Sequence, residues 1–191
     1  MEKLFIEDKV FDGVAGVDFV AAGCEFDGCR FLNCDCAGHD FSGAVFSDCV
    51  FENCNISSVV MKETAFHKVL FKSSKMMGQC FDDCNEFGLD FRFETCNLEY
   101  SFFTNIILKR TAFVECSLRG VDFSGSDLSE AVLGNCDLAS AIFDRTNLAK
   151  ADLRSAFNFQ IDPERNNLNR ARFSTASLYG LLGRHNLNIS D

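Results

Sequence analysis

The sequence predicts an all-β solenoid, a chain wound into a square coil and stacked into a rod. Three observations lead there. Large apolar residues recur every five positions along most of the 191 residues. The same residue types recur every 20, so four edges close one turn. The aromatic content is almost one kind, with 22 Phe against two Tyr and no Trp, so one residue type fills one kind of slot.

The stretch from Cys136 to Ala156, CDLASAIFDRTNLAKADLRSA, shows the unit. Cut in fives it gives CDLAS, AIFDR, TNLAK and ADLRS: a small residue first, mostly Asp or Asn second, Leu or Phe third. The third residue is the centre, and the residue two before it is the minor slot. Residues two apart lie on one side of an extended chain, so both point inward. The other three face out or make a bend. A bend in every block prevents long strands and coils the chain. One block cannot bury its own apolar side, so coils must stack.

Centres fall at every fifth residue from Phe26 to Phe81 and again from Phe93 to Leu153. Leu98, Leu118 and Leu138 are 20 apart, as are Phe103, Phe123 and Phe143, so like residues sit over like on the axis. These six form the expected structural core. Coils spaced by about 4.8 Å, roughly eight of them, give a rod about 40 Å long.

Three places depart from the period. Near the N-terminus, Ile6 and Phe11 begin the first coil, and Val17-Asp18-Phe19 reads as a block. Phe19 to Phe26 is then seven residues, so VAAG is expected to bulge from a corner. Between Phe81 and Phe93 lie two blocks plus two residues, with Glu86 where a centre is due. Phe87, Leu89, Phe91 and Phe93 alternate, which reads as a longer extended edge. The chain is therefore expected as one solenoid over 1–191, with coil stacks at 5–91 and 92–178 joined near 84–93. Phe91 would be bulky in a minor slot and widen the coil there. Further on, Asn158 occupies a centre. Asp162-Pro163-Glu164 then fits a helix start, with a capping Asp and Pro at the first position. Leu178, Leu181, Leu182 and Leu187 have helix-like spacing, predicting a short cap helix within residues 179–191.

CDLAS, TNLAK and ADLRS resemble the pentapeptide-repeat family, A-(D/N)-L-x-x, over about residues 5–178. The resemblance implies a right-handed quadrilateral β-helix with its centres on the axis. Some relatives match duplex DNA in width and charge, bind DNA gyrase or topoisomerase IV, and reduce quinolone action. In those relatives the C-terminal end makes a dimer contact. The resemblance therefore implies a twofold homodimer through residues 168–189, with Leu178, Leu181, Leu182 and Leu187 as contact candidates.

Charge and cysteine usage narrow the function. The net charge is −10. Residues 1–97 carry 17 acids and 8 bases, a net of −9, and residues 98–191 carry 11 and 10, a net of −1. Such a chain should not bind nucleic acid through a basic surface. It can attract a basic protein, and an acidic surface also serves solubility. No apolar run is long enough to span a membrane. The N-terminus lacks a signal-peptide core, so a cytoplasmic location is expected.

Nine of the eleven cysteines fall in minor slots, beside Ala, Ser, Thr and Val, and no zinc-like CxxC pair occurs. They read as small buried residues with free thiols. The three histidines, His39, His67 and His185, form no set with a nucleophile. Asp122, Asp127, Asp137 and Asp152 each precede a centre, so they are expected to bond corner backbone. No catalytic, metal or cofactor residues are assigned. Two functions are expected: a DNA-mimicking binder of a type II topoisomerase, or a structural or regulatory scaffold for another protein partner.

Overall fold

The computed structural model describes residues 4–15, 20–185 and 187. The Val17–Phe19 block lies outside them. The chain forms a right-handed quadrilateral β-helix whose strands are three or four residues long and all parallel. One face carries β1 (Phe5–Glu7), β3 (Glu25–Asp27), β5 (Val45–Ser47) and β7 (Ala65–His67) as a four-stranded sheet. The next carries β2 (Val10–Asp12), β4 (Arg30–Leu32), β6 (Val50–Glu52), β8 (Val69–Lys72), β9 (Phe91–Glu94), β10 (Ala112–Val114) and β11 (Val132–Gly134). The third and fourth faces are joined by single bridges such as Asn97↔Ser117 and Phe102↔Asp122. Seven strands bound six turns, fewer than the eight or so expected. The chain keeps winding past β11, but its rungs there are single bridges, Val132↔Asp152 and Asp152↔Arg172.

Five residues suffice for an edge because the second residue after most centres takes the left-handed conformation. Tyr100, Asn105 and Arg110 have φ of 59°, 58° and 66°, and Gly120 and Gly125 have 64° and 69°. At many corners the centre carbonyl accepts the N–H three residues on, as in Ser101 N–H to Leu98 O at 3.1 Å and Ala131 N–H to Leu128 O at 3.1 Å. A positive φ at the third residue is what such a turn requires. For residues other than Gly, Asn and Asp this costs on the order of 1 kcal/mol. The second residue of each block helps offset that cost. Asp122 Oδ1 accepts Ser124 N–H at 2.8 Å, and Asp127, Asp137 and Asp152 accept the N–H two residues on at 2.9, 3.1 and 3.2 Å. Hydrogen bonding to Arg154 holds the Asp152 carboxyl below its ordinary range.

The centres fill the axis. Phe11, Phe31, Phe51, Phe71, Phe93 and Phe113 form one column with ring centroids 4.9, 4.4, 5.2, 5.3 and 5.1 Å apart and nearly parallel planes. Phe81, Phe103, Phe123 and Phe143 form another at 4.3, 5.4 and 5.4 Å. Rings from different columns meet edge to face, as Phe103 does Phe113 at 5.8 Å and 89°. Such pairs add about 0.5–1.5 kcal/mol each beyond area burial. Leu98, Leu118, Leu138, Phe103, Phe123 and Phe143 are all buried.

The departures from period resolve in three ways. In the VAAG stretch no residue is extra. Ala21 is buried 20 residues before Phe41, and Ala22-Gly23 makes an ordinary corner closed by Cys24 N–H to Ala21 O at 2.9 Å. The expected bulge arose because an alanine centre does not show in a search for large apolar residues. Near 84–93 the two extra residues are real, and the rung offset grows from 20 to 22, as in Val69↔Phe91 and Lys75↔Asn97. The seven-stranded sheet runs on through them. The four-stranded sheet ends at β7, where Phe87-Gly88 turns over it and His67 Nε2 lies 3.3 Å from Phe87 O. The expected long edge shortens to β9, since Phe87 is 87% exposed and Leu89 only half-buried. Phe91 occupies the space a centre at 86 would have filled, against Phe66, Phe81, Phe93 and Phe103 at 6.3, 5.5, 5.0 and 6.3 Å. At the C-terminal end Asn158 turns outward with φ 60°, and Phe159 takes the interior place.

The cap is a 3₁₀ helix, Thr175–Leu181, followed by a single turn, Gly183–His185. Gly180 is required by close approach: a Cβ there would stand 2.5 Å from Phe159 O and 2.6 Å from its ring. Pro163 begins a turn and not a helix, with Asp162 Oδ1 accepting Glu164 N–H at 2.9 Å. Arg184 clamps the cap to this turn, donating to Asp162 at 3.0 Å and Glu164 at 2.6 Å.

Placing an aspartate at Phe123 buries an unpaired charge among stacked rings, so Phe123→Asp should abolish cooperative melting. Arg145→Glu changes a side chain 83% exposed and should cost about 1 kcal/mol or less. Thermal denaturation followed by circular dichroism checks both. An unchanged Phe123→Asp melting curve would contradict an interior position.

Candidate interaction surface

The interior offers little chemistry. All eleven cysteines are thiols, and only Cys80 is exposed. Burial pushes the Cys36, Cys49 and Cys54 thiols up to about 12, which removes the reactive thiolate at neutral pH. Minor-slot residues have a role beyond small size. Cys54 Sγ donates to Phe31 O at 3.3 Å, Thr64 Oγ1 to Phe41 O at 2.8 Å and Thr146 Oγ1 to Phe123 O at 2.9 Å. Each acceptor is the carbonyl of a centre in the preceding coil. A small side chain with one donor suits the slot, which explains why Cys, Ser and Thr share it. Reading cysteine as a small apolar residue missed this donor. Among the described residues no three His, Cys, Asp or Glu side chains converge on a metal-sized space. None of the helices there is long and apolar enough to cross a membrane.

The chemistry therefore lies on the outside, where charge is distributed unequally. Toward the C-terminus, acids are matched by arginines and lysines on neighbouring rungs. Arg110 meets Glu130 at 3.1 Å, Arg119 meets Asp137 at 2.9 Å, Arg165 meets Asp144 at 2.6 Å and Arg172 meets Asp152 at 3.3 Å. Side-chain amides extend these rows, with Asn147 donating to Asp127 at 2.8 Å and Asn167 to Asn147 at 2.9 Å. The N-terminal coils differ. Glu7 and Asp27 are direct register partners, and Asp8 follows at the corner with its N–H 2.9 Å from Asp27 O. Like charges directly opposite destabilise a sheet. Among the described residues of this half, bases pair with Asp48, Glu52 and Glu94 (Lys68 with Asp48 at 3.6 Å, Lys72 and Arg30 with Glu52 at 2.8 and 3.7 Å, Arg92 with Glu94 at 2.8 Å), and none pairs with Glu7, Asp8 or Asp27.

The C-terminal end is apolar. Leu178, Tyr179, Leu182 and Leu187 are exposed on or beside the cap, while Leu181 turns inward against the last coil. The four expected contact leucines are thus divided, three outward and one serving the core.

A square parallel coil with its apolar centres on the axis and small donors beside them defines a pentapeptide-repeat solenoid. The chain belongs to this family. Its pentapeptide repeat region matches over residues 24–103, and pentapeptide repeats of eight copies match over 92–125 and 122–157. A comparison of the sequence with curated proteins returned no match. Among solved structures, a trypsin-treated form of QnrB1, a plasmid-mediated fluoroquinolone resistance protein, is similar at 18% identity and a TM-score of 0.50 over 98% of each chain. HetL, a pentapeptide repeat protein involved in heterocyst differentiation regulation in the cyanobacterium Nostoc, aligns at 11% identity and a TM-score of 0.34, over 90% of this chain and 86% of its own. These likenesses are of fold.

Proposed function

We propose that this protein is a non-enzymatic, cytoplasmic interaction module whose acidic N-terminal coils engage a basic protein surface. The observation that carries the reading is the clustering of Glu7, Asp8 and Asp27 on adjacent rungs, with no ion pair to any of them among the described residues. A rigid rod holds these carboxylates in place, so they need no ordering when a partner arrives. Complementary charge then raises the encounter rate and selects against acidic surfaces such as nucleic acid.

The DNA-binding surface of gyrase or topoisomerase IV is the basic partner to test first. QnrB1 is a fluoroquinolone resistance protein, and the shared solenoid allows the same mode of action. The exposed cap leucines and Tyr179 suit a twofold homodimer, which would place the acidic coils at the two outer ends. That arrangement puts the near-neutral halves at the dimer centre, which favours the second reading, a scaffold for a different basic partner.

Sedimentation at micromolar concentration should give a dimer for the native chain and a monomer for Leu178→Glu with Leu182→Glu; a native monomer would remove the dimer. In a gyrase supercoiling reaction the native protein should inhibit, or protect against ciprofloxacin, with an effect that fades as salt rises. Glu7→Gln, Asp8→Asn and Asp27→Asn together should weaken it. No effect of the native protein would remove the topoisomerase and leave the scaffold.

A further inference from the structure

A second outward feature lies on the fourth face, away from Glu7, Asp8 and Asp27 on the first coils. Its outward row runs Asp40, Val60, Cys80, Phe102, Asp122 and Ile142, one residue per rung. Three neighbours in the middle, Val60, Cys80 and Phe102, are exposed, Val60 at 51% and Phe102 at 43%. Met77 and Tyr100, at the corners leading into Cys80 and Phe102, are exposed as well. Single exposed apolar residues are ordinary, but a contiguous patch with a polar rim marks a binding surface. Here Asp40 and Asp122 close the two ends of the run.

The backbone explains why this face opens beside Val60. The Asp40–Val60 and Cys80–Phe102 rungs are backbone bridges. Between them the buried side-chain amide of Gln79 makes the contact instead, with Oε1 accepting Val59 N–H and Nε2 donating to Val59 O, both at 3.0 Å. Next to this rung a groove of about 550 Å³ is lined by Val60, Lys62, Glu63, Asp82, Asp83 and Glu86, among others. Four acids face one lysine there. The turn that follows leaves Phe87 exposed at its tip.

We propose that the Val60–Cys80–Phe102 stripe and the adjoining groove form a docking site for a protein segment that carries lysine or arginine beside a large apolar side chain. The stripe takes the apolar side chain and the carboxylates of Glu63, Asp83 and Glu86 take the cation. Charge complementarity decides the occupant: a second copy seated here by the same face would bring acid toward acid, whereas a basic segment meets Glu63, Asp83 and Glu86. The inference rests on the protein being an interaction module, and not on a topoisomerase as its partner.

The test is selection of random peptides displayed on phage against the native, full-length protein, which contains no topoisomerase. Enriched peptides should combine Lys or Arg with Leu, Phe or Met. A synthetic copy of the strongest should lose about tenfold or more in affinity with Phe102→Ser, and again with Asp83→Asn plus Glu86→Gln. It should bind Tyr179→Ser as it binds the native chain. All of these residues point outward, and melting curves confirm that each variant is folded. No enrichment, or peptides indifferent to both substitution sets, overturns the site. Peptides that depend on Glu7, Asp8 and Asp27 alone would support the acidic N-terminal coils and overturn this face. Sedimentation showing self-association abolished by Phe102→Ser would assign the stripe to a second copy and also overturn the proposal.

Discussion

Each coil can satisfy its backbone and bury its large side chain only against the coil next to it. A five-residue edge is too short for a local hydrogen-bond ladder, so N–H and C=O groups point along the rod to the next rung. Leu98 N–H reaches Ser117 O at 2.9 Å, and Ser117 N–H reaches Cys96 O at 2.9 Å. An unpaired buried backbone group costs as much as a lost hydrogen bond, so the coils must stay in register. Register in turn sets ring over ring in the phenylalanine columns. The left-handed corner residues, the capping aspartates and the small donors in the minor slots all serve this one stacking requirement.

The same requirement governs how irregularities are absorbed. Two extra residues before Phe91 end one sheet at β7, but the offset returns to 20 by β10, with Phe93 paired to Phe113. The interior is kept full because Phe91 enters where Glu86 cannot. Gln79 does comparable work for the backbone, placing an amide side chain where a rung is missing. Asn166 repeats the device near the other end, its Oδ1 accepting Thr146 N–H at 2.9 Å and its Nδ2 donating to Phe143 O at 3.0 Å. An amide is the side chain that can replace a peptide group on both its donor and acceptor sides.

Much of this was legible in the sequence because a solenoid repeats one solution. The spacings of five and 20 gave the edges, the interior residues and the corner aspartates. What stayed hidden depends on single residues whose type does not announce their place. Ala21 is a centre too small to notice. Asn158 sits in a centre position yet faces out, because Phe159 next to it fills the interior better. Phe87 has the alternation of a strand, but the turn at Gly88, φ 69°, points it into solvent. Leu181 and Leu182 share a helical pattern, and only contact with the last coil separates the inward residue from the outward one. Outward rows on different coils come together only once the rungs are in register. The Glu7–Asp27 pairing and the Val60–Cys80–Phe102 stripe are therefore properties of the fold more than of any local segment.

A rod of this kind separates stability from recognition. The axis is packed with centres, while the side chains that face outward make few demands on the stack, and recognition is assigned to them. Amide hydrogen exchange across the register shift tests the stacking constraint most directly. If every coil depends on its neighbours, the amides of Phe81, Phe103, Phe113 and Phe123, on both sides of residues 84–90, should be among the slowest and exchange with one common free energy, that of global unfolding. Exchange of the coils before and after that segment at separate, much lower free energies would contradict a single continuous stack.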